Sequence, residues 1–296
     1  MPPAAANARP YIGLTMAVRS PMQTTLLPGG RALLAAHARE LPQRDDLCGA
    51  FCAALALRAA GIERMGSEPL GEPLDQDAVA LAAGSVVAAA PDAGHLPHGE
   101  PGRRDYRLAL PTVDDAEVSG TTAAGVAHAI ETLSGSALVA IPFSGPWSAT
   151  TLGGLFDAAA SLEHPATLIA NLATRHLWGG RARLDQLLDH LYDGELSGPP
   201  PDWEVGHFVC VFGCVRGPRG TLYGVADTYA ALGHNGVHAQ PAERLAAAIE
   251  RRDMPAGGLL AVVAAADAEQ VRAAAAAAGL REGLWDNGTV TVGAMA

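Results

Sequence analysis

The fold class turns on GHFVCVFGCVRGPRGTLYGVADTY, residues 206–229. Two runs rich in β-branched and aromatic residues, GHFVCVFGCVRG and TLYGVADTY, stand on either side of GPRG, a turn signal. They read as a β-hairpin. Side chains alternate between the faces of a strand, and a turn centred near Pro218 and Arg219 sets Asp227 opposite Val209. Asp227 is then diagonal to His207 on the same face, and diagonal neighbours lie roughly 7–8 Å apart at the backbone, within reach for a His–Asp hydrogen bond. The same alternation turns Cys210 and Cys214 to the opposite face, where they read as small apolar packing groups.

Just upstream, SGPPPDWE, Ser197 to Glu204, is a linker, because successive prolines neither continue a helix nor donate to a ladder. Ahead of it the patterns are mostly helical. RALLAAHARE reads as a helix stopped by Pro42, and RDDLCGAFCAALALRAAG, Arg44 to Gly61, as a second that begins near Cys48 and is capped by Gly61. Further helices fit DQDAVALAAGSVVAAA, SGTTAAGVAHAIETLSG, Thr150 to Leu162 and Arg181 to Tyr192; DYRLALP and SALVAIPF read as strands. Beyond the hairpin the patterns give a helix over PAERLAAAIERR, a strand at Leu259 to Ala264, a helix at Asp267 to Ala278 and a last hairpin turned at Asp286 to Gly288. The expected class is α+β. Residues 1–30 form an extended arm and 31–296 one domain, made of a cysteine-helix region (31–65), a mostly helical insertion (66–201) and a sheet-rich part (202–296).

At 296 residues the chain can bury a sizeable core. Its formal net charge of -11, with no lysine in the chain and arginine as every base besides the histidines, argues against a general nucleic-acid surface. No apolar run of about 18 residues is present, so no membrane span is expected. The N-terminus lacks a basic segment followed by an apolar one, so no signal peptide is read, and four cysteines without an export signal point to free thiols in a reducing cytoplasm.

Cys48 stands at the first turn of its helix, where unpaired N–H groups and the positive end of the helix dipole favour a thiolate over a thiol. Gly49 beside it would let a substrate carbonyl approach the backbone, while Asp45 and Asp46 stand where helix caps stand. Cys52, one turn on, points into the core. A thiolate nucleophile needs an imidazole to exchange its proton and a third group to orient that ring. Of the ten histidines, His207 has both the strand position and an aspartate on its face. The others are given no catalytic role: His95 and His98 lie in the Gly- and Pro-rich loop Pro91 to Arg104, and His234 and His238 in a loop after Asp227. Two cysteines four apart on a strand are roughly 13 Å apart, too far for one zinc ion, so neither metal nor cofactor is expected.

The combination of Gln43, Cys48 and Gly49, then GHFVCV at Gly206 to Val211, then VADTY at Val225 to Tyr229, in that order, resembles the papain-like cysteine peptidase superfamily. The nearest type is the compact bacterial one that processes double-glycine leader peptides. The resemblance covers roughly Arg31 to Gly61 and Asp202 to Ala264. It implies a papain-like core, with an N-terminal helical part carrying the cysteine helix packed on a C-terminal antiparallel sheet. It also implies that Gln43 donates to the oxyanion together with the Cys48 backbone N–H. The expected activity is acyl-enzyme chemistry on an amide, peptide or thioester by Cys48, His207 and Asp227, as hydrolase or acyltransferase. The substrate is then a small molecule, a peptide or a carrier-bound acyl group. A papain-like binding or scaffolding protein without turnover is the alternative.

Overall fold

A computed structural model describes residues 21–66 and 71–290. Its first elements are β1 (Gln23–Leu26), α1 (Gly30–Glu40), α2 (Cys48–Ala59) and α3 (Gln76–Ala83). Asp75 caps α3 by accepting from Ala78 N, and Gly84, in the left-handed region, ends it, so the apolar run splits into a helix and the short strand β2 (Val87–Ala88). β3 (Thr112–Val113) pairs with β2 in parallel. DYRLALP itself forms no strand; Asp77 accepts from the backbone of Arg107 and Leu108, holding that segment as a loop against α3.

Next come α4 (Ala123–Leu133), capped by Thr122, β4 (Leu138–Ser144), and α5 (Ala149–Ala160), which opens with a Ser148–Thr151 capping box. β5 (Thr167–Ala173) and α6 (Leu184–Asp193) precede the hairpin of β6 (Gly206–Arg216) and β7 (Thr221–Ala226). The chain closes with β8 (Val237–Pro241), α7 (Ala242–Glu250), β9 (Gly258–Ala264), α8 (Ala268–Ala277) and β10 (Arg281–Glu282).

The main sheet runs β10-β4-β9-β5-β6-β7-β8, with β1 also paired to β6, and every pairing in it is antiparallel. The chain is therefore mixed α and β around a large antiparallel sheet. That sheet is not confined to the C-terminal part. β4 and β5 come from residues 66–201, which is thus no mostly helical insertion. Both are apolar runs, and β5 is buried at every position, as a central strand must be. The arm ends in β1, whose pairing takes over on β6 where that of β5 stops; residues 1–20 lie outside those described. The last hairpin does not form among the described residues: β10 pairs with β4, and Val290 N donates to Val118 O.

Alternation along β6 sorts the core into two halves. Phe208 and Cys210 pack with Phe51, Leu55 and Val126 under α1–α4, whereas Val209 and Val211 pack with Phe156, Tyr223 and Leu245 under α5, α7 and α8. A β-bulge lies between Val211 and Gly213. Near the turn, Cys214 pairs with Tyr223 and Arg216 with Thr221; beyond the bulge, Cys210 pairs with Ala226. Without the extra residue, Phe212, the frame at the turn would set Asp227 opposite Cys210, on the other face from His207. The bulge also carries Cys214 to the half of the core opposite Cys210, correcting the expectation that the two share a face.

Helix α2 is buried from Gly49 to Leu57 on all sides. Fully burying a Phe or Leu side chain contributes about 1.5–3 kcal/mol, so Phe51, Leu55 and Leu57 together fix the axis on which Cys48 sits. Gly49 serves this packing and not substrate approach: a Cβ there would meet Thr121 and Val126 at 3.0 Å and Phe208 at 3.3 Å.

Candidate active site

No side chain caps the N-terminus of α2. Asp45 accepts from Arg103 N and Asp46, in the left-handed region at φ 65°, from Ala88 N, so the two acids pin the loops at 103 and 88 and do not cap the helix. Burial raises the Asp46 carboxyl above its usual range, against the pull of the Ala88 hydrogen bond. Cys48 is half-buried at this helix end and lines a cleft of about 610 Å³ with Gln43, His207, Trp203, Tyr229 and Arg251.

His207 lies at the start of β6, and Asp227 follows the last residue of β7. Nε2 of His207 donates to Asp227 Oδ1 at 2.9 Å, and both side chains are buried. Thr228 holds the same oxygen from its backbone N–H at 2.7 Å, while its Oγ1 stands 3.2 Å from His207 Nε2. With Nε2 engaged, Nδ1 is the nitrogen left for Cys48, whose side chain lines the same cleft and helps the ring keep its proton. Burial alone would push the imidazolium of His207 down. The charge and hydrogen bond of Asp227 outweigh it, and with the Cys48 interaction they raise the ring to about 10. Burial would raise Asp227, yet His207 and His238 hold it well below the usual carboxylate range.

Four expected residues are thus brought together: Cys48, His207 and Gln43 on the cleft and Asp227 behind the ring. Gln43 Nε2 donates to Tyr229 OH at 2.8 Å, and its buried Oε1 has no partner. One amide hydrogen remains for the cleft.

Around this pair stands a shell that the sequence reading passed over. His238 is a strand residue of β8: its Nε2 donates to Asp227 Oδ2 at 3.1 Å. Gln240 accepts from Trp178 N, donates to Trp178 O and donates to Nδ1 of His238, which fixes the His238 tautomer. His37, on α1, donates from Nε2 to Asp227 O at 2.6 Å, and burial lowers its ring below the usual 6.5. The signal was present in the alternation: His238 pairs with Val225, so a third strand after the hairpin places it on the Asp227 face. Trp203 meets the His207 ring edge-on at 5.0 Å, and Tyr229 stacks on it at 6.1 Å with 13° between planes. These rings keep water from the His–Asp bond and so strengthen it.

Arg251 is the other missed residue. It caps α7 in the left-handed region, lies buried in the cleft floor, and donates to Asn171 Oδ1 at 2.6 Å. Asn171 Nδ2 in turn reaches the carbonyl of His207.

No curated protein matches the chain. Its residues 27–286, most of its length, match one family, and the chain belongs to it: DUF6885, a family of unknown function.

Proposed function

We propose that the protein is a thiol enzyme with a papain-like Cys-His-Asp arrangement, in which Cys48 attacks the carbonyl of an amide, peptide or thioester. The observation that carries this reading is the buried 2.9 Å bond from His207 to Asp227, in the cleft that Cys48 also lines. A ring that keeps its proton at neutral pH pairs with a thiolate and then protonates the leaving group. In the step proposed, Cys48 Sγ bonds to the carbonyl carbon, the C–N or C–S bond breaks, and the proton held at His207 Nδ1 passes to the departing amine or thiol. Water or an amine then takes the acyl group from sulfur, returning the proton to His207. The free helix N-terminus at Cys48 and the Gln43 amide are the candidate donors to the oxyanion. All four cysteines are free, which fits a reducing, cytoplasmic setting, and no helix among the described residues is long and apolar enough to cross a membrane.

The test uses p-nitrophenyl acetate. The expected result is a rapid burst of p-nitrophenol with one acetyl group on Cys48 by peptide mass spectrometry, absent in Cys48→Ala and slowed in His207→Ala. Acetylation of Cys48 no faster than of a free cysteine would sink the reading.

A further inference from the structure

Arginines at the margin of this core come with carboxylates. Arg44 faces Asp77, Arg58 faces Glu40 and Arg103 faces Asp105, all within 3.2 Å. Arg251 is more deeply buried than any of these, at 3% exposure, and among the described residues no carboxylate stands within ion-pair distance of it. Its one side-chain partner among them is the neutral Asn171, and its Nε is buried without a partner. A guanidinium has five N–H donors, so most of them are unspent here.

The placement is costly in two ways. A buried cation without its counter-charge is strongly unfavourable, and a non-glycine residue at φ 44°, ψ 53° adds backbone strain. A lysine or arginine at a helix C-terminus normally repays itself by bonding the last carbonyls. Arg251 instead crosses to Gly206, where a Cβ would lie 2.9 Å from its Nη2. Gly206 directly precedes His207, so the guanidinium sits against the backbone that carries the imidazole. Burial weakens the hold of this guanidinium on its proton, and the Cys48 side chain is the first of the charges that offset this.

The other arginines of the cleft, and the two acids just before Cys48, are committed. Arg175 is bound to Asp253, Arg104 to the carbonyl of Ala88, Asp45 to Arg103 N and Asp46 to Ala88 N. Arg251 is left as the unspent cation of the cleft that Cys48 also lines. We infer that Arg251 receives a carboxylate of the substrate, so that the acyl chemistry acts on amides, peptides or thioesters that carry an anionic group besides the reacting carbonyl. This rests on Cys48 being the nucleophile, and it narrows the substrate to an anionic class. Asn171 is the positioning residue, holding the guanidinium plane through Nη1 and leaving Nη2 for an incoming carboxylate oxygen.

The test compares alkylation of Cys48 by iodoacetate and by iodoacetamide, reagents alike in mechanism, each losing iodide to the sulfur, and differing in charge. The ratio of the two rates, divided by the same ratio for glutathione, cancels the nucleophilicity of the thiol. We expect it to favour iodoacetate by about tenfold or more in the unaltered protein, to fall severalfold in Arg251→Gln to the smaller preference that the His207 imidazolium supplies, and to keep an intermediate value in Arg251→Lys, which retains the charge. Succinate should bind the Cys48→Ala protein in calorimetry, and not the Cys48→Ala, Arg251→Gln double variant. A ratio near one in the unaltered protein, or one unchanged by Arg251→Gln, overturns the anion site, as does equal slowing of both reagents in that variant with no change in ratio. If Arg251→Gln does not fold, the unaltered protein's ratio and succinate binding to Cys48→Ala decide alone. Slow labelling by both reagents with the preference intact would instead sink the nucleophile and leave the anion site standing.

Discussion

His238 donates to Asp227 Oδ2 at 3.1 Å, on the carboxylate oxygen opposite the one that takes His207 at 2.9 Å. The carboxylate is therefore gripped from both sides, by one ring that faces Cys48 and another locked by Gln240.

Removing the second grip should cost stability first. His238→Ala leaves Oδ2 buried without its donor, a loss of about 1–3 kcal/mol. Urea unfolding should show this as a lowered midpoint at unchanged slope. Labelling of Cys48 by iodoacetamide should slow less than in Asp227→Ala, because Thr228 N still holds Oδ1.

The buried pair also sets a pH window for stability. His207 is raised in the folded protein from 6.5 to about 10, so its contribution is complete below 6.5 and fades as pH climbs towards 10. Asp227 is lowered from 3.8, so its contribution is complete above 3.8 and fades as pH falls further. The gap in unfolding free energy between the unaltered protein and Asp227→Asn should thus be widest between about pH 4 and 6.5. It should narrow on both sides; a gap that grows from pH 7 to 10 would contradict the pairing.

Among the four thiols, Cys48 alone is not buried. Iodoacetamide applied to the folded protein should mark Cys48 and spare Cys52, Cys210 and Cys214, as read by peptide mapping. His207→Ala should slow that labelling at pH 7 by about tenfold or more, since in the proposed reaction the ring is the group that exchanges a proton with the sulfur.

The bulge at Phe212 can be probed from the strand opposite. A Cβ on Gly224 would stand 2.6 Å from the Phe212 ring. Gly224→Val should destabilise by about 1–3 kcal/mol through overpacking, and Phe212→Ala in the same chain should recover part of the loss. Chemical denaturation of the two single variants and the double variant measures the coupling.

Local pattern carried the sequence reading as far as local pattern reaches. Cys48 at the head of an apolar helix, and His207 and Asp227 on one hairpin, were legible because each depends on neighbours a few residues away. The hairpin frame was right at Asp227 for a reason the sequence does not display: the offset at the turn and the bulge at Phe212 cancel before the strand reaches Val209. They do not cancel at Cys214, and there the reading of its face failed. β5 was missed because TLIANLA has no alternation to betray it, being buried on both faces. Arg251 had no signal at all, since a basic residue ending a helix is ordinary until the partner it lacks is known.

The sheet that takes β1 from one end of the chain and β9 from the other also orders events during synthesis. Cys48 leaves the ribosome early, yet the strand that brings His207 to it follows only after more than half the chain has been made. Until then the nascent chain carries an ordinary thiol with no imidazole beside it. The pairing of β6 and β7 brings the imidazole and its carboxylate together in one step, so a product that stops before Gly206 lacks both.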